Sequence, residues 1–166
     1  MSGQPDWLPP LIRLEDYAGD WKRYINEVFA VFHRDFIQSQ PRFLGRWVRC
    51  RRDPIYDGKE AGFWHCLSEG KDESIRTADL RRCERIGWAR AVIEHANDVA
   101  VDHWTNRRGT DVRHLLWLRE EYLVVMAERE RKRDGFRYLQ LITAYCTESE
   151  HRKARLRQER DGAGNG

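Results

Sequence analysis

The sequence lacks the features that mark membrane-spanning and disulfide-stabilised proteins. Its apolar runs are only a few residues long, whereas a helix that crosses a bilayer needs about 20 apolar residues. Its four cysteines, Cys50, Cys66, Cys83 and Cys146, are widely spaced, form no Cys-x-x-Cys pair and follow no secretory leader. We therefore expect no membrane role, no disulfide framework and a cytoplasmic location.

Sequence motifs for common catalytic and cofactor sites are missing as well. The chain has no GxxxxGK(S/T) phosphate loop, no GxGxxG, no GxSxG elbow and no HExxH. The pair His65-Cys66 and the distant Cys83 lack the spacing of zinc ligands. These absences predict a protein without a metal or a cofactor, and they disfavour a cysteine nucleophile.

Charged residues are abundant and unevenly distributed. They make up 34% of the 166 residues, against 40% hydrophobic residues, a composition that fits one polar domain. The net charge is only +3, but residues 76–90 carry five arginines against Asp79 and Glu84. Local basic patches suit a polyphosphate ligand, so RNA is the partner that we expect first.

Hydrophobic periodicity and turn signals predict an α+β fold: N-terminal helices packed on an antiparallel sheet of about four strands, with a closing C-terminal helix. Residues 1–19 read as an extended arm, 20–160 as a single nuclease-like domain and 161–166 as a disordered tail. The predicted helices are 20–39, 77–97 and 151–160, and the predicted strands are 42–52, 99–104, 113–118, 122–127 and 136–145. The short apolar run 61–68 fits a buried strand or a helical turn equally well.

Local signals place the ends of these elements. Asp20 is a plausible N-cap for the first helix, and Pro41 cannot continue that helix. Asp134-Gly135 indicates a hairpin between the last two strands. Thr147 with Glu150 resembles a capping box for the closing helix.

His65 is the first candidate for acid–base chemistry. It lies within Phe63-Trp64-His65-Cys66-Leu67, and burial together with a neighbouring partner can adjust the proton affinity of an imidazole. The alternative is a core histidine that is hydrogen-bonded to the backbone.

Arg82 and Arg85 extend an otherwise apolar stripe of the predicted middle helix. A buried guanidinium must reach solvent, pair with a carboxylate or face a ligand cavity, because burying it unpaired is costly. A ligand cavity is the functional interpretation. An ion pair with Asp79 or Glu84 is the structural one.

Strand alternation places Thr143 and Tyr145 on one face of the last strand, together with Leu139 and Leu141. Hydroxyls near a strand end can bind phosphate, although a packed tyrosine or an ordinary strand threonine is also common. The start of the closing helix adds His151, Arg152 and Lys153 close to a helix N-terminus. We expect Arg155, Arg157 and Arg160 on a solvated face.

Taken together, these stretches resemble a family of phage and prophage proteins in the superfamily that unites Barnase, EndoU, colicin and RelE-type ribonucleases. The similarity spans about residues 16–160 and is carried by Asp20-Trp21, Tyr24, Phe32, Gly58-Lys59-Glu60, Phe63-Trp64-His65, Arg76, residues 79–86, Trp104, residues 122–125, Tyr138-Leu139, Thr143-Ala144-Tyr145 and His151-Arg152.

The resemblance implies an endoribonuclease of phage or toxin type that needs no metal and cleaves RNA by attack of a ribose 2′-hydroxyl on the adjacent phosphate. His65 would be the general acid or base, Arg82 and Arg85 would stabilise the phosphorane charge, and Thr143 or Tyr145 would hydrogen-bond the phosphate. Its partners would be RNA and an antitoxin or immunity protein. The basic residues expected to bind RNA are Arg76, Arg81, Arg113, His151, Arg152 and Lys153.

Two points stay open at the level of sequence. The second acid or base has several candidates: His95, His103, His114, His151, Glu60 and Glu69. Two non-catalytic functions also fit the sequence: a nucleic-acid or protein-binding module from a mobile element, and a structural phage protein that contacts packaged genome.

Overall fold

The computed structural model describes residues 3–68 and 78–163. In these ranges the helices are α1 (Trp21–His33), α2 (Ala61–Leu67), α3 (Leu80–Glu84), α4 (Trp88–Glu94) and α5 (Glu150–Ala163). The strands are β1 (Arg42–Phe43), β2 (Arg46–Cys50), β3 (Ile55–Tyr56), β4 (Lys59–Glu60), β5 (Val101–Arg108), β6 (Asp111–Leu118), β7 (Tyr122–Glu130) and β8 (Arg137–Cys146). None of the described helices has both the length and the apolar composition needed to cross a membrane.

The main sheet has six strands in the order β1-β2-β8-β7-β6-β5, and β3 and β4 form a separate hairpin. The predicted α+β class is confirmed, but the predicted sheet of about four antiparallel strands is too small. β2 joins the sheet in parallel with β8, whereas the other neighbouring pairs are antiparallel. The long chain segment between β2 and β8 provides the crossover that a parallel pair requires.

Two apolar clusters cover the two faces of the sheet. The larger one packs α1 to α4 against one face, with side chains such as Phe32, Phe63 and Leu141 at its centre. The smaller one packs α5 against the other face through Leu156, Trp104 and Trp117. Alternate residues of β6 and β7 therefore enter different clusters, as strand geometry requires.

The first helix forms as the sequence predicts. The Asp20 carboxylate accepts a hydrogen bond from the backbone N–H of Arg23, and the helix continues through a π-helical turn, Arg34–Gln38, that ends at Ser39. The preceding arm lies on the domain: the Trp7 indole donates to Asp98, and Tyr24 donates its hydroxyl proton to the Ile12 carbonyl.

The predicted middle helix is broken into α3 and α4. Arg85 leaves helical geometry at φ −107° and ψ 21°, and Gly87 precedes α4. A Cβ on Gly87 would lie 3.2 Å from the Pro9 ring, so the arm packs closely against this break. Because the helix is interrupted here, Arg82 and Arg85 do not share one helical face.

The helix α2 is positioned by the absence of a side chain at Gly62. A Cβ at this residue would lie 2.8 Å from the Arg51 carbonyl oxygen and 2.9 Å from the Cys50 Cβ. The Gly62 N–H donates to that same carbonyl over 2.7 Å. This close approach ties the first turn of α2 to the chain just after β2 and so fixes where His65 lies.

The closing helix α5 begins differently from the prediction and runs further. The Ser149 hydroxyl accepts from the Arg152 N–H, whereas Thr147 is buried and accepts from the Trp117 indole. Thr147 is therefore not the cap. The helix reaches Ala163, which includes residues 161–163 of the predicted tail.

Ion pairs attach α5 to the sheet, so the prediction that Arg157 and Arg160 lie on a merely solvated face is wrong. Arg157 donates to Glu120 at 2.7 Å, and Arg160 donates to Asp102 at 2.8 Å and to Glu120 at 3.1 Å. Arg155 is exposed. The hydrogen bonds from Arg157 and Arg160 hold the pKa of Glu120 below its usual range.

We expect Gly62→Ala to lower the free energy of unfolding by about 1–3 kcal/mol, because the added methyl group would overlap backbone atoms that cannot move independently. Chemical denaturation measures the change. The control is Gly162→Ala in α5, where a Cβ meets nothing within 4 Å. That variant should be unchanged or up to about 1 kcal/mol more stable, and equal stability of the two variants would contradict the close-approach explanation.

Candidate active site

The last five residues of β8 form one wall of a cleft. β2 ends at Cys50, opposite Leu141, so beyond Leu141 the neighbouring strand of β8 is β7. The helices α2 and α3 also contact β8. The resulting cleft has a volume of about 600 Å³. Its lining comprises His65, Ser68, Asp79, Arg82, Ile142, Thr143, Tyr145, Cys146, Thr147, Glu148, Ser149 and Arg152.

A β-bulge at Ile142 directs side chains into this cleft. Leu141 pairs with Met126 and Thr143 pairs with Val125, so Ile142 is an extra residue in β8. Leu139 and Leu141 consequently enter the larger cluster, whereas Tyr145 packs against the smaller one. The prediction that Leu139, Leu141, Thr143 and Tyr145 share one face is wrong because it assumed unbroken alternation, but Thr143 and Tyr145 are neighbours on one face.

Arg82 links three elements at the base of the cleft. The residue is only 5% exposed, and its Nη1 lies 3.3 Å from both the Ser68 carbonyl oxygen and the Thr143 hydroxyl. Its Nε lies 3.8 Å from an Asp79 carboxylate oxygen, and its guanidinium carbon lies 5.0 Å from the Tyr145 ring centroid. The guanidinium is therefore fixed in place before any ligand binds.

Arg152 approaches Tyr145 from the opposite side. It belongs to the first turn of α5, and its Nε donates to the Tyr145 hydroxyl over 3.0 Å. Its guanidinium carbon lies 5.7 Å from the same ring. Within the described ranges, Arg152 has no carboxylate within 4.0 Å of its side-chain nitrogens, so its positive charge is available to an anion in the cleft.

Two of the cleft hydroxyls, those of Thr143 and Tyr145, accept hydrogen bonds from arginines. Thr143 accepts from Arg82 and Tyr145 accepts from Arg152. A hydroxyl that accepts from a cation keeps its own hydrogen for another acceptor, and the described residues supply none for either group. Both can therefore donate to an oxygen anion in the cleft.

His65 faces the cleft from α2 and is half-buried. The other candidate histidines lie elsewhere. His95 stacks on Trp7 with a ring separation of 4.3 Å, His103 and His114 contact each other on β5 and β6, and His151 is exposed at the start of α5.

Two carboxylates line the cleft with His65. Asp79 caps α3 by accepting from the Arg81 N–H over 2.9 Å, and Glu148 forms an ion pair with Arg81 at the rim. They are better placed to partner His65 than Glu60, which precedes α2 and is not in the lining. Glu69 lies outside the described residues.

Arg85 is placed in a neighbouring cavity of about 330 Å³, not in the cleft beside Arg82. Its guanidinium stacks on Trp88 at 5.1 Å and donates to the Arg81 carbonyl. Arg81 and Lys153 line the same cavity. The broken helix causes this separation, because Arg85 lies beyond the end of α3.

The remaining predicted RNA contacts are scattered. Arg113 lies on β6, 3.8 Å from Asp111 and far along the strand from the cleft. Burial and the nearby Arg108 lower its pKa. His151 is outside the cleft lining, and Arg76 lies outside the described residues.

The cysteines are free and are poor nucleophiles. Burial raises the pKa of Cys50, Cys66 and Cys83 to about 12, and burial also raises the pKa of Cys146 at the cleft wall. Thiolates are therefore scarce near neutral pH. Among the described residues, no group of three or more His, Cys, Asp or Glu side chains could hold a metal ion.

Sequence reasoning missed Ser68, Glu148 and Ser149 as cleft residues. The serine before Glu150 is itself a helix-start signal, and Ser149 caps α5 by accepting from the Arg152 N–H. No comparable signal marks Ser68, because its backbone carbonyl makes the contact with Arg82.

Comparisons with known proteins give no relative for this chain: no family model, no curated protein and no solved structure matches it.

A chain of two imidazoles and a carboxylate lies away from the cleft and predicts pH-dependent stability. His103 contacts His114 at 3.1 Å, and His114 contacts Glu128 at 2.7 Å. Burial, with a smaller effect of His114, lowers the pKa of His103 below 6.5. The unfolded chain therefore holds more protons than the folded chain in the window below pH 6.5, so stability rises with pH there and levels off above it.

We expect His103→Asn to remove the pH-dependent part of the unfolding free energy that His103 contributes. The difference in unfolding free energy between wild type and variant should grow as the pH rises towards 6.5 and then stay constant, as measured by urea denaturation over a pH series. The exposed His151→Asn serves as the control. A difference for His103→Asn that does not change with pH would contradict the assignment.

Proposed function

We propose that the protein is an endoribonuclease whose cleft cleaves RNA without a metal ion. The observation that supports this function most strongly is the meeting of His65, Arg82, Arg152, Thr143 and Tyr145 around one cleft. An imidazole, two guanidinium groups and two donor hydroxyls are the groups that phosphoryl transfer needs when side chains supply both proton transfer and charge stabilisation.

In the proposed reaction, the ribose 2′-oxygen attacks the adjacent phosphorus, and the bond from phosphorus to the 5′-oxygen of the next nucleotide breaks. One group accepts the 2′-hydroxyl proton and another protonates the departing 5′-oxygen. The products are a 2′,3′-cyclic phosphate and a free 5′-hydroxyl. His65 serves as one of the two proton-transfer groups, and the Asp79 or Glu148 carboxyl is the candidate for the other.

The arginines and hydroxyls stabilise the extra negative charge on the phosphorane. Arg82 is held by Ser68 and Thr143, so it needs little reorganisation as that charge develops. Arg152 contributes a second cation without a carboxylate partner among the described residues. Thr143 and Tyr145 donate to the non-bridging oxygens.

The wider setting follows from the resemblance: a phage or toxin-like enzyme that acts in the cytoplasm and is inhibited by an antitoxin or immunity protein. Free cysteines suit that reducing compartment. The rival function is a nucleic-acid-binding module that does not cleave, which is consistent with a single imidazole in the described cleft lining.

We expect purified protein to cleave total RNA in the presence of EDTA and to leave 2′,3′-cyclic phosphate ends. His65→Gln should slow cleavage by about 10²–10⁴-fold, the usual contribution of a positioned acid or base. His103→Asn, which alters an imidazole outside the cleft, should retain the wild-type rate. Cleavage that stops on chelation, or that persists in His65→Gln, would overturn the mechanism, and intact RNA with retained binding would favour the module.

We expect Arg152→Gln to reduce the cleavage rate by about 10²-fold, because a preorganised cation is lost. The stability of this variant should fall by no more than about 2 kcal/mol, since two partly exposed hydrogen bonds to the Tyr145 hydroxyl are removed. The matched control is Arg155→Gln, an exposed residue of the same helix, which should behave like wild type. Equal rates for the two variants, measured on one fluorescent oligoribonucleotide, would exclude Arg152 from the site.

A further inference from the structure

A second cavity of about 730 Å³ lies against β2 and the first half of β8. Three arginines from β2 and the chain after it line this cavity: Arg49, Arg51 and Arg52. The lining from β8 includes Tyr138 and Gln140. The lining contains one carboxylate, that of Asp53, so positive charge predominates.

Aromatic rings stand beside these arginines. Phe136 and Tyr138 lie nearly parallel, at 19° with ring centroids 6.2 Å apart. The Arg49 guanidinium carbon lies 5.3 Å from the Phe136 centroid and 5.5 Å from that of Tyr138. A planar cation next to planar rings is an arrangement that can also accept a stacked nucleobase.

The arginines are not neutralised by neighbouring acids. In the parts of the chain that the structure describes, none of the three guanidinium groups has a carboxylate oxygen within 4.0 Å. Arg51 donates to the Asp53 carbonyl, a neutral acceptor, at 2.8 Å. Arg51 and Arg52 are exposed, so their charge is available to phosphates.

This cavity and the cleft lie along one face of β8. Tyr138 and Gln140 alternate with Leu139 and Leu141, which enter the larger cluster. The bulge at Ile142 brings Thr143 onto the face of Tyr138 and Gln140. At about 3.3 Å per residue, Tyr138 lies roughly 16 Å along the strand from Thr143, a distance that a few nucleotides of extended strand can span.

We propose that Arg49, Arg51, Arg52, Phe136, Tyr138 and Gln140 form an arginine–aromatic subsite that binds single-stranded RNA on one side of the cleavage point. This inference rests on the proposed function for the identity of the ligand. Unpaired bases expose the faces that stack on aromatic rings, whereas bases in a duplex hide them. The arginines bind the phosphates between those bases, so the subsite selects unpaired RNA.

Binding is tested with a fluorescent 2′-O-methyl oligoribonucleotide of about ten nucleotides, which has no free 2′-hydroxyl and stays intact. Tyr138→Ala should weaken its binding by roughly 5- to 150-fold, the range for loss of one base-stacking contact. Arg52→Gln, at an exposed position that carries no risk to folding, should weaken it several-fold. Arg133→Gln, an exposed arginine at the tip of the β7–β8 hairpin, is the control and should bind as wild type does.

Cleavage of two substrates separates this inference from the proposed function. Tyr138→Ala and Arg52→Gln should lower kcat/KM for the long oligoribonucleotide and leave cleavage of a dinucleotide unchanged, because a dinucleotide cannot reach the subsite. Wild-type binding and kinetics in both variants would overturn the subsite while leaving the nuclease intact. If the wild-type protein cleaves nothing but both variants bind the probe more weakly than it does, the subsite is retained and the nuclease is rejected. Equal affinity for a duplex of the same length would also overturn the selection of unpaired RNA.

Discussion

The buried guanidinium of Arg82 is the interaction on which the cleft depends. It joins the end of α2 through the Ser68 carbonyl, the start of α3 through Asp79, and β8 through Thr143. Burying a cation is costly unless hydrogen bonds and a counter-charge accompany it. The partners of Arg82 meet that requirement only in the folded arrangement, so the same contacts that satisfy the cation also hold the walls of the cleft together.

β8 is the element that turns this arrangement into a continuous surface. It lies between β2 and β7 for the first part of its length and loses the β2 partner after Leu141. The bulge follows immediately, at Ile142. An apolar row of β8 therefore stays in the core while its polar row runs from Tyr138 to Tyr145 along the other face, joining the arginine–aromatic subsite to the cleft.

Local signals predicted where helices and strands form. Tertiary contacts determined where the middle helix is interrupted and which strands pair. The Asp20 cap and the Asp134-Gly135 hairpin depend on neighbouring residues in the sequence, and both form as expected. The break at Gly87 depends on the distant arm, and the parallel pairing of β2 with β8 depends on how a long crossover packs. His65, Arg82, Thr143 and Tyr145 could be selected as unusual residues, but Arg85 could not be excluded without the break.

The ion pairs that attach α5 to the sheet make the cleft sensitive to ionic strength. Leu156 is the one buried residue of this helix, and partly exposed ion pairs to Asp102 and Glu120 supply much of the remaining contact. Such pairs weaken as dissolved ions screen them. Dissolved ions therefore loosen the helix that carries Arg152, and they would also compete with the proposed RNA ligand for the cleft.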